Sequence, residues 1–71
     1  MDLRHRFATN LRRTRHDRGI SQEDLADAAG VDRAYVSRIE RAVTYAGLEI
    51  IGTFAEAPKV DPAEFFKTPT R

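Results

Sequence analysis

QEDLADAAGVDRAYVSRIER, residues 22–41, is the stretch on which the reading of this chain turns. Ser21 stands just before it as an N-cap, and Glu23 and Asp24 follow in the first turn, where a helix dipole favours negative charge. The spacing predicts a short helix over Gln22–Ala29 that buries Leu25, Ala26 and Ala29. Gly30 then stops this helix and stands at a tight turn. Asp32 is placed to cap a second helix over Arg33–Arg41. At about 100° per residue, Tyr35, Val36 and Ile39 fall on one side of that helix. Arg33, Ala34, Ser37, Arg38 and Arg41 fall on the other. The second helix therefore has an apolar face and a basic one.

Working outward, Leu3, Phe7 and Leu11 recur every four residues and Thr14 continues the stripe, so residues 2–18 read as a helix ended by Gly19. A fourth helix is expected from Tyr45 or Ala46 to Ala57, burying Leu48, Ile51, Phe54 and Ala55 and stopped by Pro58. A fifth start is marked by Asp61 as N-cap, Pro62 at the first helical position and Glu64 closing a capping box. Val60 and Phe65 are spaced for a hydrophobic staple. No alternating pattern suggests a strand. The expected fold is all-α, five helices in one domain over residues 1–71, with a short C-terminal tail at 67–71.

Composition narrows the function. The chain has 71 residues and no cysteine, which excludes disulfides and cysteine-based metal sites. No apolar run reaches the roughly 18–20 residues of a membrane span, and no secretory core follows Met1, so the expected location is the cytoplasm. His5 and His16 stand apart without neighbouring ligands, and Thr9 and Ser21 have no partnered base. Nothing suggests an active site, and no enzyme activity, cofactor, metal or small-molecule ligand is expected. Net charge is only +1, but it is banded. Residues 1–20 sum to +4, residues 21–32 to −4 and residues 33–41 to +2. The cations are ten arginines and two lysines, and arginine's planar fork suits phosphate and base edges.

The central stretch meets the packing demands of a helix-turn-helix. Small Ala26 sits where one helix crosses the other, Gly30 follows four residues later, and Val36 and Ile39 lie six and nine residues beyond the glycine. With these positions in place, the sequence resembles the lambda repressor/Cro-like helix-turn-helix family, also called the XRE family. The resemblance runs from the Leu11–Arg15 region through Ile20, Ser21 and Gln22 to Val60, Asp61 and Pro62. It implies a compact five-helix DNA-binding domain whose third helix lies in the major groove. It places Arg33, Ala34, Ser37 and Arg38 at base edges. Arg33 and Arg38 are suited to guanine O6 and N7, and Ala34 to a thymine methyl. Gln22 matches a phosphate-clamping position, and Arg41, Thr44 and Tyr45 are further phosphate candidates. Arg15 and Glu40 match a pair that bridges the first and third helices in some relatives. Arg4, Arg6, Arg12 and Arg13 are read as a solvated face.

Two positions depart from the family pattern. Ala42 stands where many relatives have glycine, and Pro58 where most have leucine, so a looser C-terminal region is expected. The resemblance implies a transcription regulator, a repressor with activation as a second role, that binds a two-fold symmetric operator as a homodimer. It would be bacterial or phage-encoded and nucleoid-associated when bound. Restriction–modification controller proteins and phage, plasmid or mobile-element regulators both share its features. Phe54, Val60, Phe65 and Phe66 are the expected dimer interface. Glu23, Asp24 and Asp27 match acidic positions that touch RNA polymerase in some relatives. The alternative is a protein-interaction module, such as an antitoxin that uses the same fold to cover a partner protein.

Overall fold

A computed structural model describes residues 2–68. Among the described residues there are four α-helices and no strand: α1 Leu3–Asp17, α2 Gln22–Ala29, α3 Arg33–Glu40 and α4 Leu48–Glu56. The fifth expected helix is a single 3₁₀ segment, Pro62–Phe66. The last three residues of the expected tail, 69–71, lie outside the described residues.

The apolar stripes converge on one core. Phe7 and Leu11 of α1 meet Leu25 and Ala26 of α2, Val36 and Ile39 of α3, Ile51, Phe54 and Ala55 of α4, and Phe65. Six of the large side chains are essentially sealed from solvent, each burial being worth about 1.5–3 kcal/mol. Phe7 lies edge-on to Phe65, with ring centroids 5.3 Å apart, and tilts against Phe66 at 5.6 Å. This aromatic trio fastens the 3₁₀ segment to α1.

Each α-helix exit passes through one left-handed residue, and the amide of the residue after it reaches back to close the last turn. Ile20 N donates to Arg15 O (2.9 Å), Val31 N to Ala26 O (3.0 Å), Val43 N to Arg38 O (3.1 Å) and Val60 N to Ala55 O (3.0 Å). The left-handed positions are Gly19, Gly30, Ala42 and Lys59, with φ of 67°, 72°, 61° and 61°. Glycine takes that region at no steric cost; alanine and lysine do not. Ala42 thus makes in the left-handed region the turn at which the resemblance pointed to glycine, at a cost in strain.

Several sequence expectations change. The fourth helix begins at Leu48, not at Tyr45 or Ala46, and Leu48 is 88% exposed instead of buried. The chain leaves α3 through the Ala42 turn and reaches Gly47 in an extended conformation, so Leu48 occupies a first turn that overhangs the core. Asp32 holds the N-cap position of α3, but its side chain makes no capping hydrogen bond. Asp61 does cap, accepting from Ala63 N at 2.9 Å. The reciprocal half of the capping box is replaced by an ion pair, with Glu64 Oε2 2.8 Å from Lys67 Nζ. Nor is the end of α4 set loose by Pro58. That residue is buried, and its carbonyl accepts from Arg18 Nη1 at 2.7 Å.

Candidate nucleic-acid interface

The position of α3 follows from three attachments. Val36 and Ile39 anchor it to the core on one side. Glu40 pins its C-terminal end. The Glu40 carboxylate is 2% exposed and faces Arg15 in a two-point contact, Nε to Oε2 at 2.7 Å and Nη2 to Oε1 at 3.0 Å. The amide of Gln22 also donates to Oε1, at 3.0 Å, so one carboxylate joins α1, α2 and α3. Arg15 further donates Nη1 to Ile20 O at 3.0 Å, and Arg12 donates Nη1 to Glu40 O at 2.9 Å. The last contact places a cation on the Glu40 carbonyl that ends α3, where the dipole favours it. Arg12 was expected on a solvated face. It remains exposed, but its guanidinium also closes the end of α3.

What faces outward is the basic arc. Arg33, Ala34, Arg38 and Arg41 are exposed and Ser37 is half-buried within the same face. Arg33 and Arg38, at its two margins, differ in support. The Arg38 guanidinium lies 5.9 Å from the centroid of the Tyr35 ring, whereas Arg33 has no hydrogen-bond or aromatic partner among the described residues. Tyr35, read from sequence as an apolar-face residue, is half-buried against the core and donates its hydroxyl to Tyr45 O at 3.3 Å. Arg41 folds back, Nε to Ser37 O at 3.4 Å.

Flanking residues are divided. Gln22, at the start of α2, spends one side-chain N–H on Glu40, leaving its second N–H and the first amides of the helix for an outside acceptor. Thr44 is half-buried beyond the C-terminal end of α3. Tyr45 is 72% exposed, but its ring is covered by the Arg4 guanidinium at 4.8 Å and lines an apolar groove of about 270 Å³. That groove, with Leu3, Phe7, Leu48 and Phe66 on its other walls, lies between the start of α1 and the start of α4.

The expected subunit face needs correction. Phe54 and Phe65 are wholly buried within one chain and offer no surface to a second copy. Val60 packs against the core as a partly buried residue, and only Phe66 reaches the groove. Leu3 and Leu48, read from sequence as members of apolar stripes, are exposed at 62% and 88%. Asn10 was missed. Though polar and mid-helix, it is buried and donates Nδ2 to Phe65 O (2.9 Å) and Lys67 O (2.8 Å), tying the 3₁₀ segment down.

Ala26 at the crossing, left-handed Gly30 and an α3 anchored by Val36 and Ile39 form a helix-turn-helix. A family model for this fold, HTH_3, described as helix-turn-helix, matches residues 11–65, well over half of the chain. The chain belongs to the XRE-type HTH_3 family. Among HTH_3 relatives, a hypothetical transcription factor from Neisseria meningitidis is 52% identical over 40 residues, covering 56% of this chain and 38% of its own length. Control protein C.SmaI of Serratia marcescens is 39% identical over 41 residues, covering 58% and 49%. The matches thus span less than half of each of these two relatives. Solved structures agree over more of the chain. The restriction–modification controller protein C.AhdI from Aeromonas hydrophila superposes with a TM-score of 0.85 at 38% identity, covering 89% of this chain and 96% of its own. The clp gene regulator ClgR from Corynebacterium glutamicum superposes at 0.88 with 28% identity, covering 92% and 69%. These relatives are named as regulators, not enzymes. Among the described residues, no helix is long and apolar enough to cross a membrane.

Proposed function

We propose that this HTH_3 protein is a sequence-specific DNA-binding transcription regulator that lays α3 in the major groove. The observation that carries the reading is the division of α3. Val36, Ile39 and Glu40 are buried, while Arg33, Ala34 and Arg38 stand exposed on one open face with Ser37 beside them. In this reading Arg33 and Arg38 hydrogen-bond guanine edges, each discriminating by about 1–3 kcal/mol. Ser37 and Ala34 fill the contact between them. Gln22, Arg41 and Thr44 hold phosphate and set the register. The Tyr45 ring belongs instead to the subunit face.

A homodimer supplies the second reading head. Its two copies meet through the groove of Leu3, Tyr45, Leu48 and Phe66, where apolar side chains from three separate segments are gathered on one surface. The operator is then an inverted repeat with half-sites about one helical turn, or roughly 34 Å, apart. The acidic side chains of Glu23, Asp24 and Asp27 are exposed on α2. Glu23 and Asp24 suit the helix start, but Asp27 stands in the last turn, where the dipole disfavours it, so its charge answers to something outside the fold. Contact with RNA polymerase is that something, and it makes the protein an activator as well as a repressor.

Selection of bound sequences from random duplexes tests the reading, with an inverted repeat and affinity falling steeply with salt as the expected result. A pool showing no enriched sequence overturns it. Leu48→Asp, at a side chain that supports no core, is expected to yield a folded monomer in light scattering. A persistent dimer would remove the groove as the subunit face.

A further inference from the structure

We infer that Tyr35 is a positioning residue for Arg38, setting the rotamer of the base-reading arginine without touching the base itself. The inference rests on the proposed DNA-reading role of α3. Tyr35 and Arg38 are three residues apart on that helix and so are neighbours along one edge of it. The guanidinium of Arg38 lies over the Tyr35 ring, 5.9 Å from its centroid, within the range of cation–π attraction. The ring is a fixed platform. Its body is half-buried against the core, and its hydroxyl donates to the Tyr45 carbonyl at 3.3 Å. Tyr45 is held in turn by Arg4 of α1, whose guanidinium sits 4.8 Å from that ring's centroid. A line of contacts therefore runs from α1, through the segment after α3, to the outward face. An arginine side chain carries about 2 kcal/mol of rotamer entropy, which must be given up when it grips a base. Arg38 has part of that ordering supplied before DNA arrives, and Arg33, with no such platform, has none.

The test measures discrimination, the ratio of affinities for a selected duplex and for one changed at the base pair that Arg38 reads. That pair is the one whose preference disappears when selection is repeated with Arg38→Ala. Tyr35→Leu is expected to lower discrimination about two- to fivefold, the size of an exposed cation–π contact, with affinity for random duplex unchanged. Tyr35→Phe, which keeps the ring and loses only the tie to Tyr45, is expected to fall between wild type and Tyr35→Leu. It also serves as the readout should Tyr35→Leu fail to fold. In an Arg38→Ala background, Tyr35→Leu should have no further effect, because the two residues then act as one unit. An equal loss in that background would show Tyr35 touching DNA directly and overturn the inference. So would full discrimination in both Tyr35 variants while Arg38→Ala abolishes it. Discrimination that survives Arg38→Ala would overturn the base-reading role of Arg38, and the inference with it.

Discussion

Removing the Glu40 carboxylate should cost this domain a large part of its stability. The group is 2% exposed and receives three hydrogen bonds, two from Arg15 and one from Gln22. Arg15 is itself only 10% exposed at its side chain. In Glu40→Ala the guanidinium keeps its bond to Ile20 O and loses its counter-charge, leaving a buried cation uncompensated. Breaking such a pair from one side costs about 3–5 kcal/mol. At roughly 0.05–0.15 kcal/mol per residue, a domain of this length has about 4–11 kcal/mol in all, so Glu40→Ala stands near the threshold of unfolding at room temperature. The pair as a whole is a different matter. Its mutual attraction is offset by the desolvation of both charges, and replacement by apolar groups of similar volume is often neutral. Arg15→Met with Glu40→Leu should therefore recover most of what Glu40→Ala loses. Urea denaturation followed by circular dichroism measures all three proteins. A loss under about 1 kcal/mol in Glu40→Ala, or a double variant no better than the single, would refute the reasoning.

Four further outcomes follow from single positions. Asn10→Ala leaves the carbonyls of Phe65 and Lys67 without their donor and should cost about 1–3 kcal/mol by the same denaturation assay. Lys59→Gly relieves an exposed left-handed residue and should stabilise by about 0.5–1 kcal/mol, the strain released less the added freedom of the unfolded chain. Gly30→Ala should destabilise by a similar amount, about 0.5–1 kcal/mol, from φ alone, because an added Cβ there meets nothing within 4 Å. At the N-terminus, the backbone amide and then the ring of His5 hydrogen-bond the Asp2 carboxylate and hold its pKa below the ordinary 3.8. A carboxylate with a depressed folded pKa stabilises above its unfolded value, and the effect is lost as pH falls through the folded one. An NMR titration should show Asp2 titrating below the ordinary value, with fraying of the first turn of α1 following the same curve; Asp2→Asn should remove that step.

How much of this was legible in the sequence depends on whether the deciding interaction is local. The first three helices, the left-handed stop at Gly19 and the split face of α3 are set by neighbours within a turn, and local pattern reads them correctly. Asn10 could not be read that way, because its partners lie 55 and 57 residues along the chain. The subunit face shows the same limit more instructively. Adjacent phenylalanines at 65 and 66 suggested a surface, yet Phe7 and the core enclose Phe65 completely. The exposed apolar side chains lie instead in or beside the segment joining α3 to α4: Val43, Tyr45, Leu48, and Leu3 across the groove from Tyr45 and Leu48. The cause is the way the chain leaves α3. Three of the four helix exits are followed by an apolar residue that returns to the core, Ile20, Val31 and Val60, but Val43, after Ala42, remains 57% exposed. From there the segment runs outside the core to Gly47, which delays α4 to Leu48 and leaves that leucine in solvent. One turn at Ala42 thus ends α3, carries Tyr45 to the hydroxyl of Tyr35 and gathers the apolar surface proposed for a second copy.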